Sequence, residues 1–334
     1  MATIQIIPDL GALISHQKFL EQLYGQEFIM KDLFDIKTPF MMDEQARATI
    51  TAASKKRKKR QEFLPSKLEL KMLELLKKLE FEQPPTKEDV LENNKKLRLK
   101  ASEVMNKAVM NYKSLSGGNS SDKVMHKGDY VLPPNCRFFS VDVSKKVFEN
   151  ETNFKAILMD PPWTNKHVKR RKNNSDSYQM LSNQEIFDNL PQFDSILDEN
   201  GLLIIWCTAK VLDTVKYWIE NWNLEIKATW YWLKLTKSGQ TVTNWNHPHK
   251  KPYEPLIIAG HPKSQIQVEN EWILASVPSG IHSHKPPLWP ILRDMNLLGD
   301  KDECLEIFGR YLLPFTTTFG NQCLLFQSKN VFFK

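Results

Sequence analysis

Cysteine is scarce in this chain of 334 residues: Cys136, Cys207, Cys304 and Cys323 are the only four, and no two form a C-x-x-C pair. Zinc ligation and a disulfide framework are therefore not expected, and the thiols read as reduced intracellular ones. Long hydrophobic runs are missing as well. The longest apolar stretch, Gly201 to Ala209, is far too short to span a bilayer. Met1 to Asp9 has neither a basic start nor a long apolar core, so a secretory leader is not expected and a soluble intracellular protein is. No G-x-G-x-x-G loop follows an early strand, which removes the main support for a dinucleotide oxidoreductase. No internal repeat is found. What is present is basic. Lys and Arg number 46 against 39 Asp and Glu, giving a net charge of +7 and a pI near 9.0. That balance favours an anionic partner such as nucleic acid. A hydrophobic content of 41% supports a real core, and the length allows one large domain plus an extension, or two domains.

The most informative residues are Asp160-Pro161-Pro162-Trp163, which follow the apolar run Phe154, Ala156, Ile157, Leu158 and Met159. Open α/β sheets bind ligands beyond the carboxyl ends of their strands, and this turn is placed there. The tetrapeptide suits a flat heterocycle bearing an exocyclic amine. Such an amine is a poor nucleophile because its lone pair is delocalised into the ring. Two acceptors that take both N–H groups turn that lone pair toward an incoming methyl group. Asp160 offers a charged acceptor, which makes the stronger bond, and the Pro161 carbonyl offers a second. The prolines stiffen the turn and bring no competing donor. Trp163 is expected to give a stacking face, worth roughly 1–3 kcal/mol per base. Methylation of a base amino group is the chemistry this set fits.

Two textures divide the chain. Residues 1–115 read as a helical, basic N-terminal region, 116–129 as a polar linker, and 130–334 as the catalytic domain. Lys67 to Phe81 carries Leu68, Met72, Leu75, Leu76 and Leu79 at helical spacing. Pro84-Pro85 stops it, and Thr86 starts a second helix. From about Tyr130, strands (157–159, 202–206, 229–233, 256–258, 304–308) alternate with helices (182–190, 211–221, 288–297). That alternation implies a largely parallel sheet with helices on both faces. Two basic clusters stand out. Lys55 to Arg60 reads as a nuclear-import signal, a phosphate-binding arm or a solvated patch. Lys166 to Lys172 follows the proline turn almost at once, where a phosphate backbone would pass.

Asp160-Pro-Pro-Trp163, His284-Lys-Pro286, Phe308-Gly-Arg310 and Gly320-Asn-Gln322, in that order, resemble the DPPW family of adenine N6-methyltransferases. The resemblance covers roughly residues 131–334. It implies an α/β fold with a Rossmann-like, S-adenosylmethionine-dependent methyltransferase sheet whose motifs run in permuted order, plus a helical N-terminal extension. It also implies roles. Lys285 pairs with the cofactor's methionine carboxylate, Phe308 and Arg310 line the adenosine end, and Asn321 with Gln322 bonds ribose or adenine. Phe138 contributes backbone contacts to the cofactor adenine, and Asp160 serves both the target amine and the cofactor's amino end. Tyr178 and Glu254 match positions near the target nucleotide, with Asn165, Lys166, Lys169, Arg170, Arg171 and Trp232 extending the substrate surface. Some members carry His-Asn directly after Phe-Gly-Arg; this chain has Tyr311-Leu312.

A narrower likeness to one branch of that family rests on Trp163-x-Asn165-Lys166, Trp232-x-Lys234, Pro248-His-Lys-Lys-Pro-Tyr-Glu254 and His282-Ser-His-Lys-Pro-Pro287. It implies a nuclear enzyme acting on a 2′-O-methyladenosine of U2 small nuclear RNA. The same chemistry on DNA adenine and a catalytically silent nucleic-acid-binding partner are the alternatives. Neither a metal nor a membrane is expected to take part.

Overall fold

The computed structural model describes residues 3–25, 33–37, 39, 64–84, 96–97, 99–106, 115–143, 148, 153–163, 183–247, 251–280 and 284–329. One sheet of eleven strands organises them. Its centre is β7 (Phe154–Met159), β8 (Leu197–Trp206) and β12 (Cys304–Ile307), which run parallel with Ile157 opposite Leu203 and Leu305. Strands buried on both faces favour apolar residues, which is why residues 156–159 and 202–206 read as near-continuous apolar runs. Ala156 and Leu158 pack on one face, and Ile157 and Met159 on the other. The helices α3 (Asn183–Asp188), α4 (Phe193–Ile196) and α5 (Leu212–Asn221) bring Ile186, Phe187, Phe193, Val215 and Ile219 to the second face. The short helix α6 (Trp289–Asp294) covers the first face through Trp289, Ile291 and Leu292.

Beyond β12 lie β13 (Thr316–Phe319), β6 (Arg137–Phe139) and β3 (Gly117–Asn119). Beyond β8 lie β10 (Tyr253–Gly260), β9 (Glu225–Lys234) and β11 (Ile273–Ser276). β10 is antiparallel to both its neighbours, so the β9–β10 loop rises at the same end of the sheet as the carboxyl ends of β7 and β8. No helix among the described residues is long and apolar enough to cross a membrane. All four cysteines are buried free thiols.

The division into a helical extension, a linker and a catalytic domain needs correction. β1 (Thr3–Ile7) and β2 (Gly11–Ile14) belong to the catalytic sheet, with β2 parallel to β11. Gly11 permits this approach, because a Cβ there would strike the carbonyl of Ile273. Within the expected linker, Gly117–Asn119 forms β3 against β6, and β4 (Met125–Lys127) pairs with β5 (Tyr130–Leu132). Backbone ladders form without apolar side chains, so composition conceals them. The helical reading holds for α1 (His16–Tyr24) and α2 (Lys67–Lys78). α2 ends three residues before Phe81, because Leu79 turns extended and Phe81 packs over Gly239. Thr86 and the start of the second helix lie outside the described residues, while residues 99–106 are helical.

Candidate active site

A small cleft, open to solvent, lies beyond the carboxyl ends of β7 and β12. Asp160 enters it because its N–H closes the last rung of the sheet on the Ile307 carbonyl, at 3.4 Å, and the two prolines then end the ladder. Opposite Asp160 stand His284 and Lys285, with Trp206, Glu306 and Arg310 completing the polar wall.

Four charges alternate across this wall. The Lys285 ammonium lies 3.5 Å from Asp160 and 2.7 Å from one oxygen of Glu254, whose other oxygen lies 2.5 Å from Lys234. Lys285 also sits 5.3 Å over the Trp206 ring, and Lys234 4.4 Å over Trp232. Burial opposes the charges of Lys234, Glu254 and Lys285, yet their pairing holds. Burial would raise Glu254, but Lys234 and Lys285 outweigh it and keep its carboxyl well below the usual range. Burial would lower Lys285, but Asp160 and Glu254 outweigh it and hold the ammonium. Lys234 goes the other way, lowered by burial and by Lys285 despite Glu254. The cleft therefore sets Lys285 between two carboxylates, with Arg310 also on its wall.

Glu306 is the residue that sequence reasoning missed. It lies on β12 opposite Leu158, is 5% exposed, and one of its oxygens finds no hydrogen-bond partner among the described residues. Its signal was a lone acid in the apolar strand Cys304–Ile307. Burial, and then the Asp160 charge, push its pKa up to about 8. The folded protein thus keeps this proton where the unfolded chain has released it. Glu306 contributes fully below about pH 4.5, and the contribution is lost as pH rises toward 8. Thermal melts should therefore fall by a few degrees between about pH 5 and pH 8 relative to Glu306→Gln. Parallel melting curves for the two proteins would contradict this.

The two glycine turns meet at this cleft. Phe308 takes a left-handed conformation with φ 66°, and Gly320 packs where an added Cβ would stand 3.1 Å from the Gly309 carbonyl. Phe308 and Arg310 line the cleft, while Asn321 is exposed and Gln322 half-buried on the turn beyond β13. Tyr311 and Leu312 are packing residues. The Tyr311 hydroxyl donates to the Lys285 carbonyl at 3.3 Å, and Leu312 is 1% exposed.

Three expected roles change. Trp163 is 9% exposed, its indole N–H donates to the Trp206 carbonyl at 2.9 Å, and its ring meets Phe187. It braces β7 against β8 instead of presenting an open stacking face. Trp232 is 2% exposed and donates to Ser276 Oγ at 2.7 Å, because β9 lies between β10 and β11 and turns that side chain inward. Phe138 is fully buried in register with Thr318 and Gly118, so its backbone lies inside the sheet between β13 and β3. Among the described residues, the Pro161 carbonyl accepts one hydrogen bond, from the Trp163 N–H at 2.8 Å. Asn165, Lys166, Lys169, Arg170, Arg171, Tyr178 and the run from Lys55 to Arg60 lie outside the described residues.

Comparison with known proteins decides the kinship: the MT-A70 family model matches residues 154–322, from the start of β7 to the turn after β13. The chain belongs to the MT-A70 family. It is similar to the N(6)-adenine-specific methyltransferase METTL4 of Mus musculus, 37% identical over 219 residues, covering 61% of this chain and 45% of the relative. The chain thus spans about half the length of METTL4. It is also similar to the DNA N6-methyl methyltransferase of Caenorhabditis elegans, 28% identical over 365 aligned positions that cover 96% of this chain and 97% of the relative. A third likeness is to the N6-methyladenosine RNA methyltransferase MTA1 of Pyricularia oryzae, 30% identical over 67% of this chain and 63% of the relative. The MT-A70 match spans the whole charged cleft, with Asp160, Glu254, Lys285, Glu306 and Arg310 all inside it.

Proposed function

We propose that this chain transfers a methyl group from S-adenosylmethionine to N6 of adenine in a polynucleotide. The observation that carries the reading is Asp160, presented by a rigid proline turn beside the one cation, Lys285, that it shares with Glu254. The donor set fits the cofactor. Lys285 suits its carboxylate, Asp160 its ammonium, and the unpartnered oxygen of Glu306 suits a hydroxyl pair. The rings of Phe308 and Phe326 supply apolar cover. When bound, S-adenosylmethionine supplies an electrophilic methyl group on sulfur. The protein's part is then positioning and charge. Asp160 and the Pro161 carbonyl accept the two N–H bonds of the amine, which aims its lone pair along a fixed line.

The substrate we infer is RNA, specifically a 2′-O-methyladenosine of U2 small nuclear RNA; a protein can tell RNA from DNA at that 2′ position. DNA adenine is the second reading, favoured by the C. elegans relative that spans nearly the whole chain. A base in duplex DNA must first be extruded, at a cost of a few kcal/mol. The test is methyl transfer to matched oligonucleotides: RNA with and without the 2′-O-methyl group, and single-stranded DNA. Preference for the 2′-O-methylated RNA supports the reading, and preference for DNA replaces it with the second.

The basic cluster after the proline turn gives a further prediction. Neutralising Lys169, Arg170, Arg171 and Lys172 should weaken binding to all sequences alike and lower the slope of log K against log salt by about 3. Titrations at several salt concentrations check this, and an unchanged slope would remove the cluster from the backbone contact.

A further inference from the structure

The loop joining β9 to β10 ends on both sides in the charged array, with Lys234 at one stem and Glu254 at the other. The N-terminal part of the chain grips this loop. Met72, Leu75 and Leu79 of α2 share a core with Leu233 and Leu235. Phe81 packs on Gly239, leaving no room for a Cβ, and the Glu82 N–H donates to the Lys237 carbonyl at 3.2 Å. The tightest hold is polar. Glu69, with its side chain 5% exposed, gives one oxygen to the Ser66 N–H at 2.9 Å and the other to the Lys251 ammonium at 2.8 Å. Lys251 in turn donates to the Trp245 carbonyl at 3.0 Å.

The first of these contacts completes a capping box, for which glutamine serves as well as glutamate. The cap therefore gives no reason to bury a charge. The second contact does, because it meets a lysine that stands three residues before Glu254, just before β10 begins. Tyr253 lies between them, and its pKa is pushed up to about 12 by burial and then by Glu69. The Pro252 carbonyl accepts the Lys234 N–H at 2.9 Å, so both stems move together.

We propose that Glu69 is a positioning residue for the active site, acting through Lys251 to set where Glu254 and Lys234 hold Lys285. The helix α2 then serves the active site through the β9–β10 loop, outside the cleft itself. This inference rests on the methyl-transfer reading above.

The experiment compares four full-length proteins: wild type, Glu69→Gln, Lys251→Met and the double variant. Glu69→Gln keeps the capping box and removes the charge, while Lys251→Met keeps the charge and removes its partner. Rates are measured at a temperature where melts show all four fully folded. Each single variant should lose roughly tenfold in kcat/KM, and the double variant should lose no more than the worse single, since coupled residues are non-additive. Unchanged kcat/KM despite lowered melting temperatures would make the pair merely structural and overturn the proposal, and so would losses that multiply in the double variant. If the wild type itself transfers no methyl group, the proposed function fails separately. Calorimetry with S-adenosylhomocysteine then decides: weaker binding by the Glu69→Gln protein upholds the positioning role, and equal binding ends it.

Discussion

Asp160→Asn is expected to lower methyl transfer by about 10²–10³-fold, the loss seen when one preorganised electrostatic contact is removed from a transition state. The substitution keeps the shape of the side chain and one acceptor oxygen. It loses the charge, and a charge-assisted hydrogen bond is roughly twice as strong as a neutral one. The asparagine NH2 group cannot accept from Lys285, which lies 3.5 Å from the present carboxylate, and the amide oxygen offers no charge to pair with the ammonium. Stability should change little, because Asp160 is partly open to solvent and Glu254 still pairs with Lys285 at the shorter distance of 2.7 Å. The measurement is the initial rate of N6-methyladenine formation beside a thermal melt. A variant that keeps more than a tenth of the wild-type rate would remove Asp160 from the acceptor role.

Lys285→Met should be the costliest single change in both affinity and stability. Its ammonium is shared by two carboxylates, and truncating one member of a buried ionic group costs about 3–5 kcal/mol. Lys234 remains on Glu254, which places the expected loss at the lower end, about 3 kcal/mol. Affinity for S-adenosylhomocysteine should fall by about 100-fold, since the carboxylate loses the ammonium that Asp160 and Glu254 hold in the cleft, leaving Arg310 as the other cation on its wall. Lys285→Arg tests the geometry. A planar guanidinium is no substitute for a point charge held between two acids, so it should restore part of the stability and little of the affinity. Calorimetry on the three proteins reads this directly. Wild-type affinity in the methionine variant would show that the cofactor carboxylate binds elsewhere.

The parts of this molecule that sequence made visible are those with a local physical cause. β7 was legible because its last four residues, covered on both faces, are all apolar, and Asp160 because two prolines mark where its ladder ends. α2 was legible through the spacing of Met72, Leu75 and Leu79. The hidden parts depend on partners far along the chain. β1 and β2 are five and four residues long, and nothing within them announces that Gly11 will lie against Ile273. The indoles of Trp163 and Trp232 could be counted, but their direction is set by neighbouring strands, and both point inward. Glu254 was placed near the target nucleotide. Its engagement by two lysines, 20 and 31 positions away in the chain, emerges only when β9, β10 and the segment after β11 assemble. Glu306 stayed concealed for the same reason: an acid in a buried strand explains itself only beside the cleft it faces.

The most direct test of the account is transfer of a labelled methyl group from S-adenosylmethionine to a single-stranded, adenine-containing RNA, with the product nucleosides separated by mass. The account predicts N6-methyladenosine from the wild-type protein, and its loss with Asp160→Asn under conditions where both proteins remain folded. No label on N6 of RNA or DNA from a protein that binds S-adenosylhomocysteine, or label that Asp160→Asn forms at more than a tenth of the wild-type rate, would contradict it.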